Sequence, residues 1–462
     1  MRATPGPDRP LAGPLAPAAG WAARVARGAP LPAEVVHHAK RTIVDWFAAV
    51  VPGGVMDPAR ILREALVDGH TTGPAALLPD GQRVPSRTAA LVNGTAAHTA
   101  EVDDIFREGI YHPGAPTIAA ALAAGQQLDS SGADLLRAVV VGFEIGTRVA
   151  ATIQPAHYRF WHTTGTVGTL GAAAAVATLL RLDPAGFAHA VATSATMAAG
   201  LQQAFRSDAM SKPLHAGHAA EAGSLAALAA GRGFTGALDM LDGDAGLGAA
   251  MSDRPSWDGI FDDLGETFHI AAMTVKNHAC CGHTFAAVDA VLQARETVPV
   301  DPDRVRAVRV ATYRTALEVA GNPAPATAFE AQFSIQYCVA AALRLGSVRL
   351  AAFADDQLAD PALRSLLGRV TLAVDPELDR AFPGRRGARV RLTLDDGSEH
   401  EVFSPTRRGD PDLPLTDAEL TDKYTELVVP QLGPALAARL LDVLWELDKV
   451  DQVRSLPGGS VR

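Results

Sequence analysis

The chain has 462 residues, 48% hydrophobic but only 5% aromatic, with a net charge of −10 and a pI near 5.8. That length carries roughly two to four domains with ample core. The acidic balance, with no run rich in lysine or arginine, argues against nucleic-acid or anionic-membrane binding as a main role. Alanine supplies much of the apolar content, and its high helix propensity predicts a mostly helical protein. Cys280, Cys281 and Cys338 are too few for a disulfide framework and form no C-x-x-C zinc pair.

Residues 1–30 are rich in Pro and Gly and read as a flexible, extended N-terminal segment. No basic stretch ahead of an apolar one suggests a signal peptide. Pro32 can sit in the first turn of a helix that carries Val36, Ile43, Trp46 and Phe47 at helical spacing. From there, Ala- and Gly-rich helices make up the first part of a helical domain, residues 31–271. Gly165, Gly168 and Gly171 fall three apart, a mark of close helix packing rather than a phosphate loop. The uncharged run Thr163 to Leu180 is long enough for a membrane span but too weakly hydrophobic, so a soluble cytoplasmic protein is expected.

Residues 272–409 change character and read as a smaller α+β domain. Val308, Val310 and Thr312 alternate with Arg309, and Val370 to Val374 repeats the alternation. Val390, Leu392 and Leu394 precede Asp396-Gly397, a hairpin turn signal, with Val402 on the returning strand. A helix is expected over Phe333 to Leu345. Residues 410–462 turn helical again: Thr416 and Glu419 form a capping box, and a second helix runs through Leu441 to Leu447. The fold class expected is mainly α with an α+β insert, the helical domain being built from both chain ends.

Chemistry concentrates between Asn93 and Pro116, where His98, Glu101, Asp103, Asp104, Glu108 and His112 lie in an otherwise apolar context. Carboxylates and imidazoles in such helices are paired, hydrogen-bonded or reactive. On a helix, His98, Glu101 and Asp104 would share a face. Pro113 and Gly114 favour a turn that holds His112 at a helix end. A surface salt-bridge cluster would use the same residues. His162 precedes the Ala/Gly helix, where its ring could point into a cleft. Lys212, His215 and His218 recur every three residues near a helix start, where cations and free N–H groups would bind an anion. In TVKNHACCGHTF, H-x-C-C-x-H suggests a metal cluster, but adjacent cysteines reach one tetrahedral centre poorly. Lys276, near the boundary between domains, is the more informative residue there. There is no G-x-S-x-G elbow.

Taken together, NGTAAHTAEVDD, HPGAP, HTTGTVGTLGAAAA, SKPLHAGHAA, the Lys276 segment, EAQFSIQYCVAAAL and RGDPDLPLTDAELTDKY, in that order, resemble the MmgE/PrpD family. That family includes 2-methylcitrate dehydratase, cis-aconitate decarboxylase and iminodisuccinate epimerase. The resemblance runs from about Leu31 to the final helices. It implies a large helical domain from both chain ends plus an α+β lid domain, a homodimer, no metal or other cofactor, and an active site between the domains. It places Asp103, His112, His162, Lys212 and Lys276 on the family's active-site positions. The decarboxylases' Asp and Thr around the D-D pair are Glu101 and Ile105 here. Their later tyrosine has no counterpart near Gly321 and Asn322, and Tyr337 lies too far along. These departures favour another family activity over decarboxylation of cis-aconitate.

The chemistry implied handles a proton on carbon next to a carboxylate, which needs a positioned base and stabilisation of enolate-like charge. His112 and His162 would divide base and acid roles, Asp103 would assist them, and Lys212, Lys276, Glu101, Asp104 and His215 would bind a carboxylate substrate. The first expectation is a hydro-lyase acting on a β-hydroxy (poly)carboxylate. A decarboxylase or epimerase, a homologue that has lost catalysis and serves in binding, and a metal-dependent hydrolase using His98, Asp103, Asp104 and His112 are the alternatives.

Overall fold

The computed structural model describes residues 11, 13–205, 209–297, 300–382 and 384–456. The chain divides into two compact units, one made of Met1–Met273 with Asp417–Arg462 and the other of Thr274–Thr416. The fold is mainly α with a small α+β part.

The first unit contains α1 (Leu15–Ala26), α2 (Ala33–Gly53), α3 (Ala59–Leu66), a short hairpin of β1 (Ala75–Ala76) and β2 (Arg83–Val84), α4 (Ser86–Thr99), α5 (Gly114–Leu128), α6 (Gly132–Ile153), α7 (Thr163–Leu179), α8 (Pro184–Ala195) and α9 (Ser211–Ala230). α7 is the axis of this unit. Every one of its residues is buried, as an uncharged helix that is apolar all round must be. Small residues let its neighbours close in. A Cβ on Gly168 would lie 2.7 Å from Pro116 Cγ of α5, and one on Gly223 of α9 would lie 2.5 Å from the Thr169 carbonyl of α7. The glycine triplet is therefore a packing device. Among the described residues no helix is long and apolar enough to cross a membrane.

The C-terminal helices Asp417–Leu432 and Pro434–Trp445 return to pack on α2. Lys40 pairs with Asp448 at 2.5 Å and Arg41 pairs with Asp417. The start at Asp417 follows the T-x-x-E signal.

One expectation is overturned at the N-terminus. Residues 1–10 and 12 lie outside the described residues, but 15–26 form a helix rather than an extended segment. Leu15, Ala18, Ala19, Ala22 and Val25 are buried along one face, and Trp21 meets Phe268 at 6.4 Å between ring centroids. Pro14 and Pro17 obscure the period in the sequence, yet both fall where a helix start has no N–H to lose.

In the second unit, β4 (Val370–Val374), β3 (Val305–Thr312), β5 (Ala388–Leu394) and β6 (Glu399–Ser404) form one sheet in the order β4-β3-β5-β6. β3 runs parallel to β4, with Val310 opposite Leu372, and antiparallel to β5, with Val310 opposite Val390. In β3 and β5 the alternation read from sequence is the burial pattern seen, with Val308, Val310, Val390, Leu392 and Leu394 pointing inward; in β4 only Val370 is buried, and Leu372 and Val374 are half-buried. A register shift between Val305 and Ala307 resets the phase of β3. Gly397 takes φ +84° in the β5–β6 turn, a conformation that suits glycine. Helices Phe285–Thr297 and Ile335–Leu345 accompany the sheet. This unit extends to Thr416 rather than 409. Val275 N–H donates to the Gly409 carbonyl at 2.8 Å, and Arg407 and Thr274 both bind the Asp410 carboxylate.

Candidate active site

The segment between α4 and α5 is where the first unit gathers its titratable groups. α4 stops at Thr99, so His98, Glu101 and Asp104 do not share a helix face. Glu101 takes φ +56°, a left-handed conformation, and the backbone then passes through Asp103 and Asp104 as loop. Phe106 and Tyr111 close it with a two-way backbone bridge, Phe106 N–H to the Tyr111 carbonyl at 2.7 Å and the reverse at 3.2 Å. His112 follows, two residues ahead of α5.

Asp103 is the centre of the arrangement. Its Oδ2 lies 2.6 Å from His98 Nδ1 and 3.2 Å from His112 Nδ1. With the carboxylate accepting the His98 Nδ1 proton, His98 Nε2 keeps the lone pair. The His98 ring stacks on His162 at 5.4 Å and meets His112 edge-on at 4.8 Å. His162 Nδ1 is 3.0 Å from His215 Nδ1. Two imidazoles thus meet one buried carboxylate, and His162 and His215 continue the series from His98.

Their protonation follows from burial. His162 is 2% exposed. Desolvation, the largest cause, with the Lys212 ammonium adding to it, holds it well below the usual histidine range. Desolvation likewise lowers His215 to about 4. Both are neutral at pH 7, so one Nδ1 donates and the other accepts. Asp104 behaves differently. Burial, then repulsion by Asp45 and Asp103, raises it well above the carboxylate range. Its Oδ1 accepts the Gly114 N–H at 3.0 Å at the start of α5.

Backbone contacts fix the histidines. His112 N–H donates to Thr164 Oγ1 at 3.2 Å, and His162 N–H donates to the Gly200 carbonyl at 2.9 Å. His162 does stand directly before α7, but its ring is enclosed by other imidazoles rather than set at an open helix end. Lys212, His215 and His218 are not stacked cations. Lys212 pairs with Glu101, His215 is neutral beside His162, and His218 Nε2 faces the Met197 carbonyl at 3.4 Å. A cavity of about 750 Å³ is walled by Leu91, Ala199, Gly200, Leu214, His215 and His218, and touches the imidazole series through His215.

The first unit therefore brings together Asp103, His112, His162, His215, Lys212 and Glu101, with Asp104 immediately behind. Lys276 belongs to the second unit, where it is 3% exposed. The H-x-C-C-x-H residues there face separate partners: His278 binds Asp289 at 2.8 Å, Cys280 binds Thr284 at 3.0 Å and His283 binds Tyr313 at 2.8 Å. Tyr337 donates to the Ala352 carbonyl at 2.7 Å. Among the described residues, the donors that could hold a metal are His98, Asp103 and His112, whose ligand atoms lie within 4.8 Å of one another.

Two features escaped the sequence reading. From sequence His98 has a site role only as a possible metal ligand, whereas in the structure it is the ring hydrogen-bonded to Asp103. Asp45 and Lys423 form a buried ion pair behind the loop, at 2.5 Å. The available signal was a lone carboxylate within the apolar run IVDWFAAVV.

The MmgE/PrpD N-terminal domain matches residues 18–259, and the MmgE/PrpD C-terminal domain matches 278–449. The chain belongs to the MmgE/PrpD family. It is similar to the cis-aconitate decarboxylase-like protein oryM of Aspergillus oryzae, 28% identical over 92% of this chain and 93% of that protein. It is also similar to the cis-aconitate decarboxylase of Aspergillus terreus, 25% identical over 94% of this chain and 93% of the other. The human cis-aconitate decarboxylase is 27% identical over 90% and 88%. Membership of the MmgE/PrpD family, with these relatives, supports an enzyme of the lyase type.

Proposed function

We propose that this MmgE/PrpD protein removes a proton from carbon next to a carboxylate and expels a β-hydroxyl as water, a hydro-lyase reaction on a β-hydroxy (poly)carboxylate. The observation that carries the reading is the Asp103 carboxylate facing Nδ1 of two imidazoles at 2.6 and 3.2 Å. His112, with its side chain 16% exposed where His98 is at 0%, is the ring that meets substrate. Its Nε2 takes the α-proton, and the imidazolium that forms is stabilised by Asp103 beside it. The electron pair left on carbon spreads into the carboxylate, then forms the double bond as the β-hydroxyl leaves. The proton passes to that hydroxyl, giving water. His162, held neutral, serves as a hydrogen-bonding partner that needs no charge change. Lys212 and, from the second unit, Lys276 are assigned to substrate carboxylates by the family resemblance. No metal is assigned a part.

A second reading is decarboxylation of a related unsaturated acid, favoured by the names of the relatives above. There the carbon–carbon bond electrons stay on carbon as CO2 leaves, and a His112 imidazolium that has taken its proton from solvent gives it to that carbon.

Incubation with a panel of hydroxy- and unsaturated di- and tricarboxylates in D2O, followed by NMR, distinguishes water loss, CO2 loss and bare α-proton exchange. On the substrate so found, H112Q is expected to slow turnover by about a hundredfold, and H162Q to slow it by less, through loss of the hydrogen-bonding partner beside His215. Near-normal rates in both variants would move the proton chemistry to the lysines or carboxylates. Turnover lost to a chelator and restored by one divalent ion would favour the His98, Asp103 and His112 metal reading.

A further inference from the structure

Asp45 and Lys423 have no part in the reaction as described, yet the first unit keeps both side chains out of water, at 1% exposure each. Lys423 comes from helix Asp417–Leu432 and Asp45 from α2. Their neighbours in sequence, Val44, Trp46, Phe47, Leu420, Tyr424 and Leu427, are buried and apolar or aromatic. An apolar pair of the same volume would pack there at least as well, since desolvating two ions offsets their attraction. Stability alone gives no reason for the pair.

The direction of the ammonium does. Lys423 Nζ lies 2.5 Å from Asp45 Oδ1 and donates to the Val102 carbonyl at 2.7 Å. Val102 is the residue between Glu101 and Asp103. Glu101 binds Lys212, and Asp103 meets His98 and His112. This stretch is neither helix nor strand, so a side-chain donor to its carbonyl replaces the bonds that regular structure would supply. A shift of the Val102 peptide would move both carboxylates that flank it.

We propose that Lys423, held by Asp45, is a positioning residue: through the Val102 carbonyl it sets where the Asp103 carboxylate meets the two imidazoles. The proposal rests on the reading of His112 as the proton carrier, but its geometric part can be tested without substrate.

The test compares the full-length chain with K423M, K423R and the double variant D45L/K423M. Three measurements are made: the urea midpoint, long-range 15N spectra of labelled histidines, and kcat and KM on the substrate identified by the D2O panel. K423M strands a buried carboxylate and is expected to lower the midpoint. The double variant removes both charges and should regain the midpoint. It should still show altered Nδ1 signals for His98 and His112, and a kcat lower by about tenfold or more with KM changed less than about twofold, as misplacement of a reacting group produces. K423R, which keeps a donor and a charge, should recover part of kcat. A double variant with parental histidine spectra and parental kcat would make the pair merely structural and overturn the proposal. If the double variant does not fold, K423M, which lacks the donor, with unaltered histidine spectra and unaltered kcat overturns it equally. Altered spectra together with an H112Q variant of normal rate would retain the positioning role and sink the proton-carrier reading instead.

Discussion

Glu101 changes what Lys212 can do. The family resemblance makes that lysine a substrate-carboxylate contact, but in this chain it is paired with Glu101, and both side chains are only about one-fifth exposed, at 23% and 21%. A substrate carboxylate must compete with an anion already in place. E101Q keeps the length and a hydrogen-bonding end while removing the charge. It is expected to lower KM for substrates carrying an additional carboxylate by about tenfold, the scale of one charge-assisted hydrogen bond, and to leave smaller acids little changed. An unchanged ranking across the panel would mean that Lys212 does not touch substrate. Sequence spacing put Glu101 on a helix face beside His98. Its left-handed backbone and its reach to a residue on another helix were hidden, because each depends on where α4 ends and how α9 packs.

At the scale of elements, close approach between helices governs tolerance of side chains. Adding a Cβ at Gly223 would place it 2.5 Å from the Thr169 carbonyl and 2.7 Å from Ala172 Cβ. G223A should therefore destabilise by about 1–3 kcal/mol through overpacking, although alanine favours a helix. Gly20 on α1 is the counter-example: the nearest atom to its Cβ would be the flexible Arg24 guanidinium at 3.8 Å. G20A should stabilise by about 0.5–1 kcal/mol. Urea melts of the two variants give opposite signs if helix spacing is as described. Equal shifts would mean that α7 and α9 are further apart.

For the whole molecule, buried neutral histidines set the acid limit. His157, His215, His269 and His283 are each pushed down to about 4 by desolvation, and His162 is held low for the same first reason. Their unfolded value is near 6.5. As pH falls below about 6.5 the unfolded chain takes up protons that the folded one refuses. Stability is thus full above that value and is lost between about 6.5 and 4. Urea midpoints should fall steadily from pH 7 to pH 4.5, and H157N should flatten part of that slope. A midpoint constant down to pH 4.5 would show that these rings gain water or a partner.

Periodicity alone located the strands of the second unit, the Asp396-Gly397 turn, the helix ending at Leu345 and the packing role of Gly165, Gly168 and Gly171, because these features depend on neighbours along the chain. It also marked the segment from His98 to His112 as the place to look, since titratable residues stand out against an alanine-rich background. The N-terminal helix was missed because prolines in its first turn read as disorder until a hydrophobic face is there to receive Leu15 and Trp21. Which imidazole faces Asp103, which histidines stay neutral and which cation is already paired were decided only by packing. Desolvation and through-space charge act between residues as far apart in sequence as Asp45 and Lys423, and no local pattern records them.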